Sequence, residues 1–322
     1  MNRKEIQAVT CHNCKTEMVK AGRGRNETQR YKCQQCGKRF SEVQGKPFGA
    51  DIRKPKETVL MILRCLIEGN SVRSTARLCD VEPKTVLSML KLAGENCERV
   101  MGKLIVNVPV EDVQCDEIWG YVFKKEAHKF PFEAHNNAIG DAYCFVAIER
   151  NSKLVLNFAL GRRDQATTDA FIEGLRGATA NQRFQITTDG FQPYKSAIET
   201  TLRDRVDYAM LVKTYAESAE AERRYSPAEV VDAKPVVIIG NPDKEKICTS
   251  HVERQNLSIR MGMRRMTRLT NAFSKKWDNL WHAYCLWFAF YNFCRIHQTL
   301  RITPAMAAGI ANRAWDLADL VA

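Results

Sequence analysis

Between about residues 56 and 102 apolar residues recur at helical spacing, with Val59, Ile62, Leu63 and Leu66 on one face, and this pattern predicts helices. From about 108 the pattern changes to strands, predicted at 110–123, 142–149 and 153–160. A helical stretch at 165–179 follows, then a strand at 183–188 that ends in TTDG, then a helix near 193–201. Two more strand-like runs cover 208–213 and 235–239, and the polar stretch at 214–234 reads as a surface insertion. From about 250 the chain is mainly helical. Trp277, Trp281, Tyr284, Phe288 and Tyr291 fall at spacings of four, three, four and three, a stripe that faces a core. Three strands with short connections, then helix, strand and helices, predict a mixed sheet covered by helices, an α/β fold. Ahead of all this lie a short, polar, cysteine-bearing segment and a Gly/Pro-marked linker at 45–55. The expected units are therefore 8–45, 56–102 and 108–312.

Composition narrows the class. Hydrophobic residues make up 45% and charged residues 27%, values of an ordinary globular protein. No apolar run reaches the roughly 18 residues of a membrane span, and the polar N-terminus lacks an apolar signal core. A cytosolic protein is expected, and in that reducing compartment the twelve cysteines should be thiols or metal ligands. The net charge of +12 is uneven: residues 1–56 hold fourteen Lys/Arg against five Asp/Glu, whereas the rest hold 35 against 32. A basic end on a nearly balanced body fits a nucleic-acid footprint, and it equally fits a solvated arm.

Cys11, Cys14, Cys33 and Cys36 form two C-x2-C pairs separated by 18 residues. That spacing lets two knuckles present four thiolates to one tetrahedral zinc ion. Four thiolates leave no open position for substrate, so the zinc would be structural and would supply folding energy to a segment too small for a core. Gly37 suits the tight turn after the last ligand, and Arg23, Arg25, Arg30, Lys32, Lys38 and Arg39 surround the ribbon within reach of phosphates.

Residues 71–92 have the pattern of a helix-turn-helix. Ser71 caps the first helix, small Ala76 allows a close crossing, and Pro83 suits the first turn of the second helix. Thr85, Ser88 and Lys91 then face DNA with Lys84 beside them, while Val86, Leu87 and Leu90 pack inward. An ordinary helical hairpin has the same pattern.

Three acids carry the candidate chemistry. Asp116 lies in a strand, Asp189 ends a strand, and Glu253 opens a helix. Carboxylates gathered at the carboxyl edge of a sheet form an oxygen cage for two Mg2+ ions, with Mn2+ as a substitute. Such a pair serves in-line phosphoryl transfer. Strand alternation turns Glu117 away from Asp116, so Glu117 is not expected to share the site. Asp189 before Gly190 also fits a turn, and Glu253 also fits a first-turn acid. From Arg254 to Lys276 there are seven basic residues and no acid; Arg254, Asn256, Arg260, Arg264, Arg265 and Arg268 are the expected DNA contacts.

The order CHNC…CQQC, helix-turn-helix, DEIWGYV, TTDG and HVERQNLSIR…RLTNAFSK resembles the insertion-sequence-one family of bacterial transposases. The resemblance runs from about Cys11 to Ile310. It implies a ribonuclease H-like catalytic fold with DDE chemistry on Asp116, Asp189 and Glu253. It implies strand cleavage at transposon ends, strand transfer to target DNA, and a homo-oligomer acting on paired ends in a bacterial nucleoid. A catalytically silent DNA-binding regulator derived from such an enzyme is the alternative; it needs the DNA-binding parts but not the three acids.

Overall fold

The computed structural model describes residues 11, 14, 16–23, 29–41, 54–215, 230–268 and 270–321. Arg25, the 45–53 part of the linker and the 216–229 part of the expected insertion lie outside them.

Strands β1 (Met18–Arg23), β2 (Gln29–Cys33) and β3 (Arg39–Ser41) form an antiparallel sheet in that order. Its small core holds Cys11, Met18 and Cys33. Gly37 has φ +68, a conformation that costs glycine little, and its N–H closes the turn onto Cys33 O at 3.0 Å.

Helices α1 (Lys56–Ile67), α2 (Val72–Leu78) and α3 (Pro83–Leu104) follow. Ser71 caps α2 by accepting the N–H of Ser74, and Pro83 is the first residue of α3. The buried face of α3 repeats as Val86, Met89, Leu90, Ala93, Cys97 and Met101, the spacing of one helical stripe. Val86 and Leu90 point inward as expected, Leu87 is only half-buried, and Ser88 and Lys91 are exposed.

The large sheet has six strands: β4 (Asp112–Val122), β5 (Gly140–Glu149), β6 (Val155–Gly161), β7 (Phe184–Asp189), β8 (Val206–Tyr215) and β9 (Val230–Ile239). Their spatial order is β6-β5-β4-β7-β8-β9. The β4–β5, β5–β6 and β8–β9 pairs are antiparallel, and β4–β7 and β7–β8 are parallel. Residues 214–215 and 230–234, expected as parts of a surface insertion, are instead strand residues of β8 and β9, paired antiparallel at the sheet edge.

Helices cover both faces. α4 (Gln165–Ala178) and α5 (Pro193–Thr201) lie on one, where Phe145 meets Phe171 and Tyr194. Phe158 pairs beside Val146, on the opposite face, and meets Trp281 and Phe288 of α7 (Trp277–Ala289). α3 packs on α7 at close range: a Cβ added at Gly94 would stand 2.4 Å from His282 Cβ. Tyr284, Phe288 and Tyr291 are buried, so the aromatic stripe is core, as its spacing predicts. One hydrophobic core runs from Val59 of α1 to Val321, so α1–α3 share it with the sheet. Among the described residues no helix is long and apolar enough to cross a membrane.

Candidate metal centre

Asp116 sits midway along β4, and β7 runs parallel beside it. Cys115 pairs with Thr188, so the next step along each strand sets Asp116 beside Asp189 on the same face. Glu117 pairs with Phe145 and so belongs to the α4/α5 face, as alternation predicts. Its carboxylate nonetheless joins the other two: one oxygen each from Asp116, Glu117 and Asp189 lies within 4.8 Å of the rest. The reason is local. β4 and β7 pair only as far as Cys115–Thr188, β7 ends at Asp189, and the next residue is Gly190, so the two faces meet at this edge.

Each acid is held by hydrogen bonds, Asp116 and Glu117 on one oxygen and Asp189 on both. Asn256 Nδ2 donates to Asp116 Oδ2 at 2.8 Å, and Phe191 N donates to Asp189 Oδ1 at 3.0 Å. Arg163 Nε donates to Glu117 Oε2 at 3.2 Å, its Nη2 reaches Asp189 Oδ2 at 3.4 Å, and its guanidinium lies 4.0 Å from the centre of the Phe191 ring.

Glu253 rides on α6 (Ser250–Gly262), which lies against β4. Gln114, two residues before Asp116 and on the same face, docks that helix: its Oε1 accepts the N–H groups of His251 at 2.9 Å and Val252 at 3.3 Å. These are first-turn donors with no partner inside the helix. The Glu253 carboxylate is about half exposed, and it is held by Thr249 Oγ1 at 2.7 Å and by Lys213 Nζ, which also donates to Thr249 Oγ1 at 2.9 Å. Glu253 therefore stands apart from the inner three acids, close enough for its charge to repel Asp116 and Asp189.

Burial, then repulsion from Asp189 and Glu117, pushes the Asp116 carboxyl up to about 8. Burial and then Asp189 push Glu117 up to about 7, against the pull of Tyr194 and Arg163. Asp189 is raised by burial, with Phe191 N–H and Arg163 working the other way. Tyr194 Oη is buried beside Glu117, yet neither it nor Glu117 Oε1 completes a well-directed hydrogen bond. Crowded, partly neutralised carboxyl groups with oxygen donors alone suit a hard divalent cation, whose charge reverses this repulsion.

Of the expected basic contacts, Arg254, Arg264 and Arg268 are exposed. Arg260 and Arg265 turn inward instead. Arg260 donates to Met266 O and Trp119 O, and Arg265 donates to Ser274 Oγ and Asn279 O. They tie the loop after α6 to its surroundings, Arg260 by joining Met266 O to Trp119 O of β4 and Arg265 by reaching Ser274 and the first turn of α7. Arg23, Arg30, Lys32, Lys38, Arg39 and Lys84 are exposed, Thr85 is half-buried, and Lys91 lies 3.7 Å from Glu95. Arg163, Lys213 and Thr249 have no sequence signal. Gln114 has one: a polar residue two places from Asp116 in a buried strand.

The four N-terminal cysteines also meet, with one Sγ from each within 4.8 Å of the others. Cys11 Sγ and Cys36 Sγ are 3.7 Å apart, and the N–H groups of Cys14 and Cys36 point at Cys11 Sγ and Cys33 Sγ at 3.5 Å. Bonds of about 2.3 Å to a tetrahedral ion put neighbouring sulfurs about 3.8 Å apart, so the cluster fits zinc.

The mixed sheet with acids side by side on parallel strands fits a DDE domain, and a family-model match supports a DDE transposase, an enzyme that works with divalent metal. The particular family model matched, over residues 139–227, is described as a DDE domain and belongs to the IS240 type. That is a different family from the insertion-sequence-one family which the sequence resembles; the DDE class is common to both readings. The matched span contains Asp189 and lies between Asp116 and Glu253. No curated protein matches the chain. A solved structure, a piggyBac transposase synaptic complex with hairpin DNA, is similar over 85% of this chain and 70% of that one, at 9% identity and a TM-score of 0.33. That likeness is too distant to bear on the site.

Proposed function

We propose that this enzyme cuts DNA at the ends of a transposon and joins the freed 3′ ends to target DNA, with Asp116, Asp189 and Glu253 as its metal-holding acids. The observation that carries the reading is the placement of Asp116 and Asp189 as neighbours on parallel strands, with the helix of Glu253 docked on the same strand through Gln114. When bound, two Mg2+ ions would activate a water or 3′-hydroxyl and stabilise the leaving oxygen. The chain's own residues prepare the place. Asn256 fixes the Asp116 carboxylate, Phe191 N–H fixes that of Asp189, and Lys213 and Thr249 hold Glu253 at the rim.

In this reading residues 8–45 form a zinc ribbon, 56–102 a helix-turn-helix and 108–312 the catalytic part, and a homo-oligomer assembles on paired ends. This is the organisation of the insertion-sequence-one family that the sequence resembles. The exposed set Arg23, Lys38, Arg39, Lys84, Ser88, Lys91, Arg254, Arg264 and Arg268 supports a DNA partner. The test is incubation with the element's own ends and Mg2+, comparing wild type with Asp116→Asn. Cleavage and joining by the wild type alone is expected. Equal products from both proteins, or none from either with the ends bound, overturns the reading.

A further inference from the structure

Glu117 is the acid that strand alternation sets aside, yet its side chain is only 3% exposed. A buried carboxylate is costly unless each oxygen finds a partner. Oε2 has Arg163, but Oε1 is buried without a well-directed hydrogen bond, and Tyr194 Oη, the polar group close to this carboxylate, is itself left without one. At least one of its oxygens stands within 4.8 Å of oxygens from both Asp116 and Asp189. Arg163 ties the group to the centre, because one guanidinium spans Glu117 Oε2 and Asp189 Oδ2.

We propose that Glu117 is a fourth carboxylate of the metal centre, reaching the cation with Oε1 from the opposite face of the sheet while Arg163 holds Oε2. This rests on the metal-centre reading of Asp116 and Asp189 given above. A ligand in that position explains why a buried oxygen is left open, and why the acid is glutamate: its extra methylene carries the carboxylate round the strand edge to the other face. It also divides the work between the acids. Asp116, Glu117 and Asp189 make an inner set that is already assembled, and Glu253, held at the rim by Lys213, is a separate outer acid.

Mn2+ binding to the full chain without DNA, read by electron paramagnetic resonance of the free ion, tests this without reference to activity. Circular dichroism of each variant checks that it folds. Asp189→Asn should lose the site. Glu117→Gln keeps the shape and removes the charge, and it should weaken Mn2+ about tenfold or more. Glu117→Asp keeps the charge but draws it back by one methylene, so it should weaken Mn2+ as well if contact is direct. Wild-type affinity in Glu117→Asp would show that only background charge acts, and overturns the proposal. Wild-type affinity in Glu117→Gln with loss in Asp189→Asn also overturns it and leaves the metal-centre reading standing. No Mn2+ bound by the wild type sinks both.

Discussion

Gln114 Oε1 accepts the backbone N–H of His251 at 2.9 Å, and this bond joins the strand of Asp116 to the helix of Glu253. Two of the three proposed catalytic acids are thus referenced to one amide side chain that hydrogen-bonds to neither.

Truncating that amide should separate geometry from metal binding. Gln114→Ala leaves the His251 and Val252 N–H groups without their acceptor, a loss of roughly 1–3 kcal/mol per buried group left unpaired. Urea unfolding should show the lower stability, and strand transfer should fall more than Mn2+ affinity, because among the inner acids only Asp116, through Asn256, is tied to α6. Unchanged stability and activity would remove Gln114 from the account.

The metal-free protein should lose stability as pH rises. Asp116 carries a carboxyl pushed up to about 8, above the ordinary value of 3.8. The folded chain therefore keeps a proton that the unfolded chain releases above roughly pH 4, and the stability present below that pH drains away as pH climbs through about 8. Glu117, pushed up to about 7, acts in the same direction. Tm measured between pH 5 and pH 8 without divalent salt should decline in the wild type and decline less in Asp116→Asn. Identical slopes in the two proteins would contradict the assignment of this proton.

The exposed and inward arginines should answer to different measurements. Arg254→Ala and Arg268→Ala should each reduce the salt dependence of DNA binding by about one phosphate contact. Arg260→Ala should lower folding stability, because Met266 O and Trp119 O lose their donor. A salt slope that moves with Arg260 but not with Arg254 would reverse these roles.

For the cysteine cluster, Cys33→Ser should cost about one zinc per chain by elemental analysis and weaken binding to transposon ends. Full metal content in that variant would rule out a four-thiolate site.

Much of this was legible because periodicity reports burial. The β4, β5, β6 and β7 strands lie within a few residues of the runs that alternation and apolar content mark, and α4 and α5 almost coincide with theirs. β9 was harder, because nearly all its residues from Val230 to Val237 are exposed, and an edge strand without a buried face leaves no alternation to read. The boundary between 56–102 and the sheet was visible as a change of period, but a period does not reveal that α3 packs on α7, which lies far along the chain. Of the acids, the opposite faces of Asp116 and Glu117 and the place of Asp189 at a strand end were readable, but the register that sets the end of β7 beside Glu117 was not. Charge counting treated Arg254 and Arg260 alike, since the carbonyls that claim Arg260 belong to a loop and a distant strand.

The packing of α3 has a mechanical consequence. At about 1.5 Å per residue, its 22 residues make a rod of about 33 Å, close to one turn of a DNA duplex. On the proposed reading one end of this rod grips DNA, while the rest is bedded in the same core as the acids. Grip and blade then move as a single tool, and the interval between recognised sequence and cut phosphate is a length set by a helix, not by a slack tether.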